Sequence, residues 1–174
     1  MSHREVRPLV RVRQARAPRW ALFLVAVVLA AGCAHHVAPG RPDPSYHTLP
    51  ERTALGLPYS DAVRVGDLLF LAGTIGADPA SRRLVEGGIV AETQQALENI
   101  KANLEAHGSS LDRVVKCTVF LAEIEDFEAM NGVYRRYFPV NRPARTTVSV
   151  KALPAGAKIE IDCIAAVRPQ GGRS

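Results

Sequence analysis

Arg145 and Glu160 are the residues whose types and settings suggest chemistry. In "NRPARTTVSV", residues 141–150, the side chains alternate from Arg145 onward. Arg145, Thr147 and Ser149 point one way along an extended chain, and Thr146, Val148 and Val150 the other. In "KIEIDCIAAV", Ile159, Ile161 and Cys163 make an apolar side, and Lys158, Glu160 and Asp162 a charged one. A guanidinium is permanently charged and grips a carboxylate through two parallel hydrogen bonds. A carboxylate in a half-closed cleft orients and deprotonates a water. With no phosphate loop and no metal-ligand spacing beside them, the pair suits a small carboxylated substrate attacked by water. The plainer reading is an Arg–Glu ion pair on a wet sheet face, which adds little stability.

The elements that must position them can be read from the same chain. "AVRVGDLLFLAG" predicts a hairpin, Ala62–Val65 and Leu68–Ala72, turning at Gly66-Asp67. "IVAETQQALENIKANLEAHG" places residues 93, 97, 100 and 104 on one helical face, with Gly108 as its stop. "LDRVVKCTVFLA" predicts a β-branched strand. "DFEAMNGVYRRYF" predicts a second helix capped by Asp126, with Phe127, Met130, Tyr134 and Tyr137 sharing a face. The strands at 145–150 and 158–167 then close the domain as a last hairpin. The order is strand, strand, helix, strand, helix, strand, strand. It predicts an α+β fold, a mixed sheet covered on one face by two helices. Because helices cover only the apolar side, Arg145 and Glu160 are expected together on the opposite face. Phe120 shares that face with Lys116 and Thr118, so it is part apolar and part charged. Such a face suits sheets from several chains packed together, with clefts between them.

Charge excludes one class of function. The first 32 residues hold six arginines and a single acid, Glu5; setting them apart from 22 basic and 17 acidic residues leaves 16 of each. The rest of the chain is formally neutral, so the net +5 does not mark a nucleic-acid surface. The basic stretch precedes the apolar run "ALFLVAVVLAA" and ends in "LAAGC". We read residues 1–32 as an export signal. The box resembles a bacterial lipoprotein cleavage site, with Cys33 as the lipidated residue and the membrane as a partner through that anchor; an uncleaved anchor or cleavage near Ala31 are the other readings. The expected location is the cell envelope. Residues 33–57, rich in proline and polar residues, read as a tether, and 169–174 as a tail. His35 and His36 have no cysteine or acid cluster beside them and read as linker residues, not metal ligands. Cys117 and Cys163 sit in apolar strand patterns and read as small buried hydrophobes, although an oxidising compartment would let them pair.

"PYSDAVRVGDLLFLAG", "LENIKANLEAHGSSLDRVVKCTVFL", "FEAMNGVYRRYF" and "RPARTTVSVKALPAGAKIEIDCIAAV" together resemble the Rid family, the YjgF-type reactive-intermediate deaminases. The likeness runs from Pro58 to Val167, within a domain we bound at 58–168. It implies a chorismate-mutase-like fold and a homotrimer with three inter-subunit clefts. It also implies hydrolysis of 2-imino or 2-enamino acids to 2-keto acids and ammonia, with no cofactor and no metal. By position, Arg145 resembles the family's substrate-carboxylate arginine and Glu160 the acid that positions the water. Tyr59 resembles the tyrosine lining the cleft, Asn131 the helix asparagine near the site, and Gly73 the glycine whose backbone approaches the ligand. Thr147 stands where active members often have cysteine. The chain departs from the pattern at Ala72, in place of a serine, and at Thr74 and Gly76, in place of glutamine and proline. Asp61 stands in place of a glutamine and adds a negative charge near an anionic substrate. The alternative to an enzyme is an envelope module that binds small carboxylates, such as 2-keto acids, without turnover.

Overall fold

The computed structural model describes residues 42–167. The export signal, Cys33, the two linker histidines and the tail lie outside them. The elements follow the expected order with three additions near the start. They are β1 (Ser45–His47), α1 (Pro50–Thr53), β2 (Ala62–Val65), β3 (Leu68–Leu71), β4 (Thr74–Ile75), α2 (Gly88–Ala106), β5 (Val114–Leu121), α3 (Phe127–Tyr137), β6 (Ala144–Ser149) and β7 (Ile159–Ala166). Residues 45–47, expected in the tether, instead form β1, which pairs antiparallel with β2. Among the described residues no helix is long and apolar enough to cross a membrane.

The β2–β3 hairpin turns at Gly66-Asp67 as its sequence predicts, with Val65 opposite Leu68. Gly66 has φ +59, a conformation that a Cβ disfavours and that two-residue hairpin turns require. Helix α2 has no side-chain cap at its start and ends at Ala106. Beyond it Gly108, at φ +76, lets the Ser109 N–H reach back to the Leu104 carbonyl. Leu97, Ile100 and Leu104, three and four residues apart, are fully buried. Burying each such side chain contributes roughly 1.5–3 kcal/mol. Thr93, the polar member of that stripe, is buried because its hydroxyl donates to the Ile89 carbonyl at 2.6 Å.

The sheet order is β1-β2-β3-β7-β5-β6, with β4 also paired to β7. All pairs are antiparallel except β5–β6. Helices α2 and α3 pack against each other, and α2 lies over β7 and β4. Their apolar stripes meet Cys117, Val119, Leu121, Ile159, Ile161 and Cys163 of the central strands. This is the mixed sheet with two helices on one face that the sequence predicts.

The last two strands differ from expectation. β6 and β7 do not form a hairpin, because β5 lies between them. A connection that re-enters the sheet parallel to β5 leaves β6 as the edge strand. Register then decides the faces, since residues directly opposite in a sheet point the same way. Arg145 lies opposite Cys117, and Cys117 opposite Cys163, so Arg145 points to the helix side. Glu160 lies opposite Phe120, on the bare side. The expected shared face is therefore wrong, and the two residues leave the sheet in opposite directions.

Two further expectations are corrected. Cys117 and Cys163 are joined by a disulfide, their Cα atoms 4.2 Å apart. Direct cross-strand opposition brings them within reach, a relation that the separate strand patterns did not disclose. Asp126 makes no capping bond to α3. It sits at the end of a 3₁₀ turn, Ile124–Asp126, in helical conformation, and its carboxylate lies 3.9 Å from the Lys158 ammonium instead.

Candidate functional site

The bare face of the sheet carries Thr118 and Phe120 of β5, Thr146 and Val148 of β6, Phe70 of β3 and Glu160 and Asp162 of β7, by the strand registers. Leu68, Phe70 and Val148 are each about 40% exposed there (41%, 39% and 40%). That is much apolar surface for one side of a sheet to leave in water. Glu160 is half-buried on this face. Among the described residues neither a cation nor a hydrogen-bond donor meets its carboxylate. Burial, and secondarily the Asp162 carboxylate two residues along the same face, hold the Glu160 carboxyl above its ordinary range. A Cβ built on Gly73 would overlap that carboxylate. Glycine at 73 is thus the residue that leaves room for Glu160.

Arg145 sits on the helix side of the edge strand β6. Its Nη2 donates to Asn131 Oδ1 at 2.7 Å, and Nη1 lies 3.9 Å from Met130 Sδ. Its guanidinium carbon is 4.6 Å from the centre of the Tyr134 ring and 5.7 Å from that of Phe127. All four partners belong to α3, at the spacing that puts them on one helical face. The same arrangement explains a polar residue in that face: the guanidinium satisfies Asn131. Burial pushes the Tyr134 phenol up to about 12, with the Arg145 charge opposing the shift, so the ring stays neutral beneath the cation. Among the described residues no carboxylate pairs with Arg145. Thr147 follows two residues later on the same side, and its buried hydroxyl has no partner among the described residues.

The sequence-nominated residues therefore fall into three places. Arg145, Asn131 and Thr147 come together on the helix side of β6. Glu160 and Gly73 come together on the bare face. Tyr59, half exposed and hydrogen-bonded to Arg52, precedes β2, and two residues on the Asp61 carbonyl accepts the Ala72 N–H at 3.1 Å, which runs the Tyr59 segment alongside Gly73. With two strand spacings and three residues between their register positions, the Arg145 and Glu160 backbones are about 14 Å apart. The Arg–Glu ion pair is thus excluded within one protomer.

The residues at which the chain departs from the family pattern have visible settings. Asp61 is 1% exposed and ion-paired to Arg52 at 2.9 Å, and its other oxygen accepts the Leu49 N–H at 2.8 Å. Its charge is neutralised inside the protein, against the expectation of a negative charge offered to substrate. Thr74 donates to the Ala72 carbonyl at 3.2 Å. Gly76 packs so closely on α2 that a Cβ would strike the Glu92 backbone. Glu92, which the sequence reading did not single out, is buried and accepts the Lys158 N–H at 2.8 Å, tying α2 to the start of β7. A lone acid on an apolar helix face was the available signal. Among the described residues no group of three or more histidines, cysteines or acids is placed to hold a metal.

Fold and site together define an α+β protein with helices on one side of its sheet, an apolar face bare on the other, an arginine on the edge strand and a glutamate on an inner strand, neither with an oppositely charged partner among the described residues. The chain belongs to the endoribonuclease L-PSP family, which it matches over residues 51–167. It is 49% identical over 112 residues to the 2-iminobutanoate/2-iminopropanoate deaminase of Capra hircus, covering 64% of this chain and 82% of that one. The crystal structure of the yeast protein YEO7 superposes with a TM-score of 0.68 at 44% identity, over 72% of this chain and all of the other. The structure of E. coli TdcF with bound serine gives 0.60 at 33% identity, over 63% of this chain and 88% of that one.

Proposed function

We propose that the protein hydrolyses 2-imino and 2-enamino acids to 2-keto acids and ammonia, in clefts between the subunits of a homotrimer. The observation that carries the reading is the separation of Arg145 from Glu160. Each is half-buried and, among the described residues, lacks an oppositely charged partner, and each lies where a second chain can complete its surroundings. A half-buried guanidinium held by a neutral amide and two aromatic rings keeps its charge for an anion. Packing of the bare apolar faces against one another brings the Arg145 margin of one protomer to the Glu160 face of the next. Related proteins named 2-iminobutanoate/2-iminopropanoate deaminase support the reaction. The relative with bound serine supports an amino-acid-like ligand.

In this mechanism Arg145, positioned by Asn131, anchors the substrate carboxylate. Tyr59 lines the cleft, Gly73 leaves the space that Glu160 fills, and Thr147 offers its unpartnered hydroxyl. Glu160 takes a proton from a water as the water oxygen bonds to the imine carbon. That proton passes to nitrogen to give the carbinolamine; its hydroxyl proton then moves to nitrogen through Glu160 as the C–N bond breaks and the C=O bond forms, and ammonia leaves with the keto acid behind. No cofactor is needed to balance the step. A positioned base contributes about 10²–10⁴-fold. We also place the protein outside the cytoplasm, anchored through Cys33; the Cys117–Cys163 disulfide favours an oxidising compartment.

The test is ammonia release from enzymatically generated 2-iminobutanoate, for the wild-type protein and Arg145→Ala. We expect acceleration by the first and a loss of at least about 100-fold in the second, since two charge-assisted hydrogen bonds are removed. Equal rates would defeat the mechanism. Tight binding of 2-ketobutyrate without turnover would instead make the protein a binding module.

A further inference from the structure

Arg52 joins a buried acid to an exposed phenol. Its Nη1 lies 2.9 Å from Asp61 Oδ1, and its Nη2 donates to Tyr59 Oη at 3.1 Å. Its guanidinium carbon is 5.9 Å from the centre of the Tyr59 ring, so the cation follows both the ring and its oxygen. Asp61 is fixed in turn. It is 1% exposed and accepts the Leu49 N–H at 2.8 Å, just before α1, while its own carbonyl accepts the Asn103 side-chain amide at 3.2 Å. The Leu49 N–H fixes the carboxylate through Oδ2, and the buried Oδ1 faces the Arg52 guanidinium as an ion pair. The guanidinium is held between that buried charge and the phenol, and its second arm sets the phenol oxygen. Because Tyr59 Oη accepts from Arg52, its own proton must go to another acceptor. The side chain is half exposed, so that acceptor is water or a ligand.

We propose that Arg52 and Asp61 are positioning residues that hold the Tyr59 hydroxyl as a hydrogen-bond donor to the atom on C2 of the bound ligand. This rests on the imine-hydrolase reading, which puts Tyr59 in the cleft. Arg145 takes the ligand carboxylate, which leaves the imine nitrogen of the substrate, or the keto oxygen of the product, as the acceptor for a neutral O–H. Asp61 and Arg52 thereby form one unit: the acid that departs from the family pattern serves to hold the arginine. Neither residue touches the ligand.

The experiment is a double-mutant cycle on the full-length protein, with Tyr59→Phe, Arg52→Gln and both together. Arg52→Lys is added because it keeps the charge pair with Asp61 while losing the second arm of the fork. The readouts are kcat/KM for ammonia release from 2-iminobutanoate, calorimetric affinity for 2-ketobutyrate, and the melting temperature. Loss of one neutral hydrogen bond corresponds to about a fivefold fall in kcat/KM for Tyr59→Phe. Arg52→Gln and Arg52→Lys should give a similar fall, and the double variant should be no worse than Tyr59→Phe alone. Arg52→Lys should do so with an unchanged melting temperature. Losses that multiply in the double variant, or wild-type kinetics in Arg52→Lys, overturn the proposal and leave Arg52 a stabilising residue. Should the wild-type protein release no ammonia, the hydrolase reading falls, and the same cycle in 2-ketobutyrate affinity decides the positioning role. A protein that neither turns over nor binds overturns both.

Discussion

Arg145 stands beside Cys117 on the edge of the sheet and Glu160 beside Phe120 on the second strand inward, and their side chains leave opposite faces. No rotamer of either bridges the sheet between them. A site that uses both must take them from two protomers. Mixing Arg145→Ala with Glu160→Gln, after joint unfolding and reassembly, is therefore expected to restore activity to two inactive proteins. If each cleft draws the arginine from one subunit and the acid from its neighbour, random assembly leaves about a quarter of the sites intact. Ammonia release no greater than that of either parent would place both groups in one chain.

The pH profile should carry the mark of Glu160. Its carboxyl is raised by burial first and by Asp162 second. A base with a raised pKa loses its charge at a higher pH than a free glutamate does, so kcat/KM should fall on acidification through a limb above the ordinary carboxylate range. Asp162→Asn removes the like charge and should move that limb to lower pH, without abolishing it. A limb that stays in place in this variant assigns it to another group.

Gly73→Ala should separate activity from stability. The added methyl has room only if the Glu160 side chain swings away. Displacing the base by about 1 Å is enough to cost on the order of 10²-fold in rate. The carboxylate is half exposed and free to move into solvent, so the melting temperature should change little. Full activity in this variant would mean that Glu160 works from a different rotamer, or does not work at all.

Reduction should weaken the fold. The Cys117–Cys163 bond ties the two central strands across a separation of 46 residues. A cross-link of that span stabilises by roughly 2–4 kcal/mol, mainly by restricting the unfolded chain. Urea denaturation with and without reductant, and of the Cys117→Ala, Cys163→Ala double variant, measures it. Coincident curves would show that the bond does not form in the folded protein. Since Cys117 lies opposite Arg145, kcat/KM of the reduced protein, measured well below the melting temperature, also reports whether the bond stiffens the edge strand.

Much of this was legible in the chain by itself. Period-2 and period-3.6 patterns depend on neighbours a few residues apart, and they located the β2–β3 hairpin, both long helices, β5 and β7. The resemblance named the residues worth examining. It did not say which of them meet in one protomer.

What the sequence determined by itself is local: which stretches are strands or helices, which side of each is apolar, and that a permanent cation and a lone acid sit on two of the strands. Tertiary structure alone decided the rest. Arg145 faces the helices because β6 joins the sheet parallel to β5, a crossover that no short-range pattern encodes. Cys117 meets Cys163, and Asp61 meets Arg52, because strand register and a short helix bring together residues whose own neighbours say nothing of each other. Alternation tells which residues of a strand share a side. Only pairing with another strand tells which side that is.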